Sequence, residues 1–221
     1  MIKTVLFDLD GTLADTAPDL ADALNQVLIN HSQQPLPYDQ IRPVVSHGGA
    51  ALISLAFGNE HPNFDDYYHE LLDIYKNNIA NKTTLFPGMP ELLEQIIQQG
   101  MNWGVVTNKP AWLTDPLMDA LNLTKSACTI ISGDTLKERK PHPAPLLFAC
   151  NQAGSSAKEC VYIGDAERDI RAGNNAGMHT VIALFGYIDE SDEPQNWNAH
   201  HQINAPLDLV PWIHTLNNNS A

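Results

Sequence analysis

The chain has 221 residues, enough for one substantial core or for a core with a small inserted domain. Hydrophobic residues make up 43% and charged residues 17%, the balance of an ordinary soluble globular protein. A net charge of −14 argues against nucleic acid or an anionic membrane as the main partner, because both demand a basic surface. An anionic small molecule stays admissible where a metal ion or a lysine offsets the field locally.

The first element is an apolar run from Ile2 that ends as Phe7-Asp8-Leu9-Asp10-Gly11-Thr12-Leu13. A run that short and β-rich reads as a buried parallel strand. Side chains two apart share a face of a strand, so Asp8 and Asp10 converge at its carboxyl end. Open α/β sheets bind their ligands at that end. Two carboxylates held together repel unless a cation or proton intervenes, and they suit Mg²⁺. Gly11 permits a sharp turn, and a plain turn is the alternative role for Asp-x-Asp-Gly.

Residues 16 to about 82 read as helix after helix. Asp19 to Asn30 places Leu20, Ala23, Leu24, Val27 and Leu28 on one face, with Pro18 in the first turn. Tyr38 to Val45 is a short helix, Ala50 to Phe57 another after the Gly48-Gly49 break, and Phe64 to Ile79 a longer one. The pattern changes at Leu85-Phe86-Pro87-Gly88. Helices are expected over Met89 to Gln99, Pro110 to Leu121, Ala144 to Ala153, Arg168 to Ala176 and Leu207 to His214. Strands are expected over Trp103 to Asn108, Cys128 to Ser132, Cys160 to Gly164 and His179 to Leu184. The polar tail from Asn217 to Ala221 is expected to fray. Strands alternating with helices imply an α/β fold, a Rossmann-like, doubly wound parallel sheet. The expected division is a core of residues 1–15 and 84–221 and an all-α cap of residues 16–83.

Cys128, Cys150 and Cys160 form no Cys-x-x-Cys pair and read as buried free thiols of a reducing compartment. No signal peptide precedes the first strand, and no stretch has the apolar length of a membrane span. A cytoplasmic monomer or homodimer, without nucleic acid or membrane partners, is the expectation.

Further along, Thr107 closes the second strand as Asp8 closes the first. Its hydroxyl either caps the next turn or holds a phosphate oxygen. Lys140 sits in Lys137-Glu138-Arg139-Lys140-Pro141, the densest positive run of an acidic chain. Gly164-Asp165-Ala166-Glu167-Arg168-Asp169 ends the fourth strand and reads either as an acidic helix start or as a ligand site.

Together these blocks resemble, over nearly the whole chain, the four motifs of the haloacid dehalogenase superfamily, and the helical insert resembles the cap of its phosphoglycolate-phosphatase-like members. The resemblance implies a sheet order of 5-4-1-2-3 and hydrolysis of a phosphate monoester through an aspartyl phosphate. It implies that Asp8 is the nucleophile and Asp10 the general acid/base, with Thr107 and Lys140 on the phosphoryl oxygens. It implies Mg²⁺ held by Asp8, Asp10 and Asp165, with Asp169 a ligand through water or a buttress for Lys140, and Asn108 in support. Arg42, His47 and Gly48 of the cap are expected to face the leaving group. Segments such as Phe86 to Leu93, Trp103 to Pro110 and Gly186-Tyr187-Ile188 resemble one branch, the N-acetylmuramic acid 6-phosphate phosphatases of cell-wall recycling. 2-Phosphoglycolate is the alternative substrate, and a mutase of the β-phosphoglucomutase type is a further alternative.

Overall fold

The computed structural model describes residues 1–189 and 191–219. β1 (Thr4–Phe7) is buried at all four positions and forms the middle of a parallel sheet. It pairs with β4 (Asn102–Val106) on one side and β6 (Cys160–Gly164) on the other. β5 (Ile130–Ile131) extends the sheet beyond β4, and β7 (His179–Ala183) extends it beyond β6. The order β5-β4-β1-β6-β7 is the expected one. β8 (His201–Ile203) adds a sixth parallel strand outside β7, which the sequence reading missed. His201-Gln202-Ile203 has only one buried residue, so no apolar run announces it.

Helices cover both faces of the sheet, as parallel strands buried on both sides require. They are α5 (Met89–Gln98), α6 (Ala111–Ala120), α7 (Ala144–Gln152), α8 (Glu167–Ala176) and α9 (Leu209–Asn219). Two expectations change here. α9 continues to Asn219 instead of fraying from Asn217, and Asn217 Oδ1 accepts a 2.6 Å hydrogen bond from the Ile2 amide. The rest of that tail, Ser220 and Ala221, lies outside the described residues. Cys128 is exposed and precedes β5, because that strand has only two residues; Cys150 and Cys160 are buried as expected.

The chain leaves the sheet through β2 (Ala14–Asp15) and returns through β3 (Thr84–Leu85), which pair antiparallel as a two-residue ribbon. Between them lie α1 (Ala17–Asn30), α2 (Tyr38–Ile41), a 3₁₀ turn (Arg42–His47), α3 (Gly49–Phe57) and α4 (Phe64–Asn77). Leu24, Leu28, Ile41, Leu52, Leu71 and Tyr75 are fully or almost fully buried among these helices. No helix among the described residues is long and apolar enough to cross a membrane.

One carboxylate ties the root of the insert together. Asp19 is buried in α1 and accepts hydrogen bonds from the Lys82 amide, the Thr83 amide at 2.8 Å and the Thr83 hydroxyl at 2.7 Å. Asp19→Ala strands these donors at the point where the chain re-enters the sheet. It is expected to cost about 2–3 kcal/mol of stability in urea unfolding. A loss below about 0.5 kcal/mol would show that water replaces the carboxylate.

Candidate active site

The carboxyl ends of β1, β4 and β6 converge, and each contributes the residue that follows or closes it. Asp8 follows β1 and is 3% exposed. Thr107 follows β4, and Asp165 follows β6. Gly11 makes the approach possible, since it holds φ +81° and a Cβ there would collide with the Asp165 carboxylate.

Lys140 joins the β1 and β6 ends. Its Nζ lies 2.9 Å from Asp8 Oδ1 and 2.7 Å from Asp169 Oδ1, and it donates to Tyr162 Oη at 2.8 Å. The Tyr162 hydroxyl donates onward to the Val106 carbonyl at 2.8 Å. Asn108 holds the lysine's backbone: its Nδ2 donates to Lys140 O at 3.0 Å and its Oδ1 accepts from Lys140 N at 3.1 Å. Thr107 takes the capping role left open by the sequence, its hydroxyl accepting from the Lys109 amide at 3.1 Å, and it lines the cavity as well.

Asp8, Asp165 and Asp169 are all buried, each with a carboxylate oxygen within 4.8 Å of the others. Burial first, then the Asp8 and Asp169 charges, push Asp165 up to about 7. Burial also raises Asp8, against the pull of Lys140. Burial alone would raise Asp169 too, but Lys140 and Arg168 hold it below the ordinary carboxylate range. Asp165 is therefore the least compensated member of the three. It accepts only neutral donors, from Thr12 Oγ1 at 3.1 Å, Ser46 Oγ at 2.5 Å and the Tyr187 amide at 2.9 Å. A buried, all-oxygen set with uncompensated negative charge fits a hard divalent cation such as Mg²⁺.

Asp10 is absent from that cluster. Its Oδ1 accepts from Thr16 Oγ1 at 2.6 Å and from Lys109 Nζ at 2.9 Å. Burial works against the charge on Lys109, yet Asp10 keeps its pKa above the ordinary lysine value. The Lys109 ammonium also lies 4.5 Å from the centre of the Tyr75 ring.

Above these groups opens a cavity of about 700 Å³, reaching from Asp8 and Asp10 to Tyr68, Leu72, Tyr75 and Trp112. His47 and Gly48 line it, as expected. Arg42 does not. Its guanidinium donates to the Phe185 carbonyl at 3.2 Å and lies 4.8 Å over the Tyr187 ring, so it docks the 3₁₀ turn onto the sheet's loops. Arg168 is the cation that the sequence reading passed over. It lines the cavity and donates to the Ser46 carbonyl at 2.6 Å. A second depression, about 750 Å³, lies at the opposite end of the strands near His179 and His200, and among the described residues it holds no cluster of carboxylates.

Lys140→Met removes the ammonium that bridges Asp8 and Asp169. Breaking a buried ion network from one side is expected to cost about 3–5 kcal/mol in chemical denaturation at neutral pH. Stability equal to wild type would show that the carboxylates do not depend on it.

Residues 5–183 match the family model described as haloacid dehalogenase-like hydrolase. A protein of Xanthomonas campestris pv. campestris (strain 8004) named phosphoglycolate phosphatase is 40% identical over 208 residues, 94% of each chain. One of Pseudomonas aeruginosa named N-acetylmuramic acid 6-phosphate phosphatase is 37% identical over 211 residues, 95% of this chain and 93% of the other. The crystal structure of a predicted phosphoglycolate phosphatase from Haemophilus somnus 129PT superposes with a TM-score of 0.85 at 27% identity, covering 96% of this chain and 98% of that one. With its sheet order and its strand-end carboxylates, the chain belongs to the haloacid dehalogenase-like hydrolase family.

Proposed function

We propose that the protein hydrolyses a sugar-sized phosphate monoester, N-acetylmuramic acid 6-phosphate, as a cytoplasmic enzyme of cell-wall recycling. The chain is a phosphomonoester hydrolase, and the cavity carries the choice of leaving group. Asp8 stands on the floor of about 700 Å³ of space with aromatic walls. A phosphorylated amino sugar with its lactyl arm uses that space, whereas the two-carbon skeleton of 2-phosphoglycolate leaves most of it to water. Both compounds are phosphate monoesters that also carry a carboxylate, so the phosphoryl-handling groups alone do not separate them.

The proposed chemistry assigns each of these side chains a role. An Asp8 carboxylate oxygen attacks phosphorus, and the bond to the leaving oxygen breaks as the aspartyl phosphate forms. Asp10 protonates the departing alkoxide and then takes a proton from the water that hydrolyses the acyl phosphate. Lys140 and the Thr107 hydroxyl stabilise the charge spread over the equatorial oxygens. Asp8 and Asp165, with Asp169 behind Lys140, would hold Mg²⁺, which supplies charge neutralisation between carboxylate and phosphate. Residues 16–83 act as the cap that closes over this floor.

A phosphate-release assay is expected to give kcat/KM for N-acetylmuramic acid 6-phosphate about a hundredfold above that for 2-phosphoglycolate, roughly 2.7 kcal/mol of transition-state binding. The reverse order would assign the protein to phosphoglycolate, the name its Xanthomonas relative carries. Phosphoryl transfer between sugar positions without phosphate release would make it a mutase. Excess EDTA is expected to abolish turnover and added Mg²⁺ to restore it; full activity under chelation would remove the metal from the scheme.

A further inference from the structure

Tyr75 is wholly buried, and although the Lys109 ammonium lies close enough to act on its phenol, the hydroxyl has no hydrogen-bond acceptor among the described residues. It belongs to α4 of the insert and lines the cavity above Asp10. Buried polar groups are normally paired, and an orphan of this kind calls for an explanation. A phenylalanine would fill the same space and keep the contact between the ring and Lys109, so packing does not account for the oxygen. The Lys109 ammonium beneath the ring donates to Asp10 at 2.9 Å and is a donor only, so it cannot accept the hydroxyl's proton. Burial pushes the phenol up to about 12, so at working pH it is a neutral hydrogen-bond donor.

Position narrows the partner. Lys140 holds the Asp8 side of the floor, where the phosphoryl group is attacked. The Tyr75 ring sits over the Lys109–Asp10 pair, where the alkoxide departs. Resting on the phosphatase assignment above, we propose that the Tyr75 hydroxyl donates a hydrogen bond to a second oxygen of the leaving group, one other than the ester oxygen. It is thereby a specificity-determining residue that selects polyoxygenated leaving groups over plain ones. The matching chemistry is a hydroxyl, ether or amide oxygen of a sugar.

Tyr75→Phe tests this, because it removes one oxygen and keeps the ring. Two readouts are needed. In thermal unfolding without substrate the variant is expected to melt at or above the wild-type temperature, since an unpaired donor is lost. In turnover, the ratio of kcat/KM for the best sugar phosphate to that for phenyl phosphate, whose leaving group has no second oxygen, is expected to fall about tenfold or more. A lowered melting temperature with both activities falling equally overturns the assignment, because the hydroxyl would then be structural. An unchanged ratio with every substrate overturns it as well. A ratio that falls with 2-phosphoglycolate and not with sugar phosphates supports Tyr75 as a leaving-group contact while removing the amino-sugar proposal.

Discussion

Everything at the floor depends on one constraint: three buried carboxylates share a space in which their oxygens lie within 4.8 Å of one another. At an effective dielectric of about 20, two unit charges at that distance repel by roughly 3 kcal/mol. Lys140 relieves the pairing of Asp8 with Asp169, and Arg168 adds positive charge beside it. Among the described residues Asp165 has no ion pair, and the positive charge that reaches it is that of Arg168. The protein therefore folds around an excess of negative charge, which a divalent cation is suited to offset. The apparatus that holds Lys140 shows how closely the balance is built. Tyr162, Asn108 and both carboxylates fix it from four directions.

Much of this was legible in the sequence because it is local. Asp8, Thr107 and Asp165 each end an apolar strand, and parallel strands bring their carboxyl ends to one edge. The order of the central five strands followed from the family resemblance. β8 escaped because three residues with one buried side chain give no periodic signal. Cys128 was misplaced because its apolar neighbours suggested a longer strand than the two residues that pair with β4. Arg42 illustrates a different limit. A cation in a cap segment looks like a substrate contact, and only the tertiary fold shows it spent on Phe185 and Tyr187. Lys109 and Tyr75 meet across more than thirty residues of sequence, and neither residue type signals the encounter.

The insert does more than cover the floor. Ser46, in its 3₁₀ turn, donates to Asp165 and accepts from Arg168. The covering layer is thus bonded to the carboxylate least compensated by its neighbours, and to the cation beside it. Exclusion of water at that contact strengthens each electrostatic interaction beneath it. The same contact binds the position of the insert to the state of the floor, because displacing Ser46 would leave the Asp165 carboxylate with one donor fewer.

Asp10 completes the division of labour. Thr16 and Lys109 both donate to its Oδ1, which holds the carboxylate in one orientation from two sides. Thr16 comes from the start of the insert and Lys109 from the loop after β4, so insert and sheet jointly aim the group. Both donors fall on one oxygen of the carboxylate. Asp8 likewise takes two donors on its Oδ1, Lys140 and the Leu9 amide at 2.8 Å, but it stands beside two further carboxylates. Two aspartates two residues apart on one strand end thus meet different environments. One lies among anions and a lysine suited to a phosphoryl group. The other lies between the Thr16 hydroxyl and the Lys109 ammonium on the cavity wall. The difference in neighbours sets the two carboxylates apart, one in a crowded anionic cluster and one in a single ion pair.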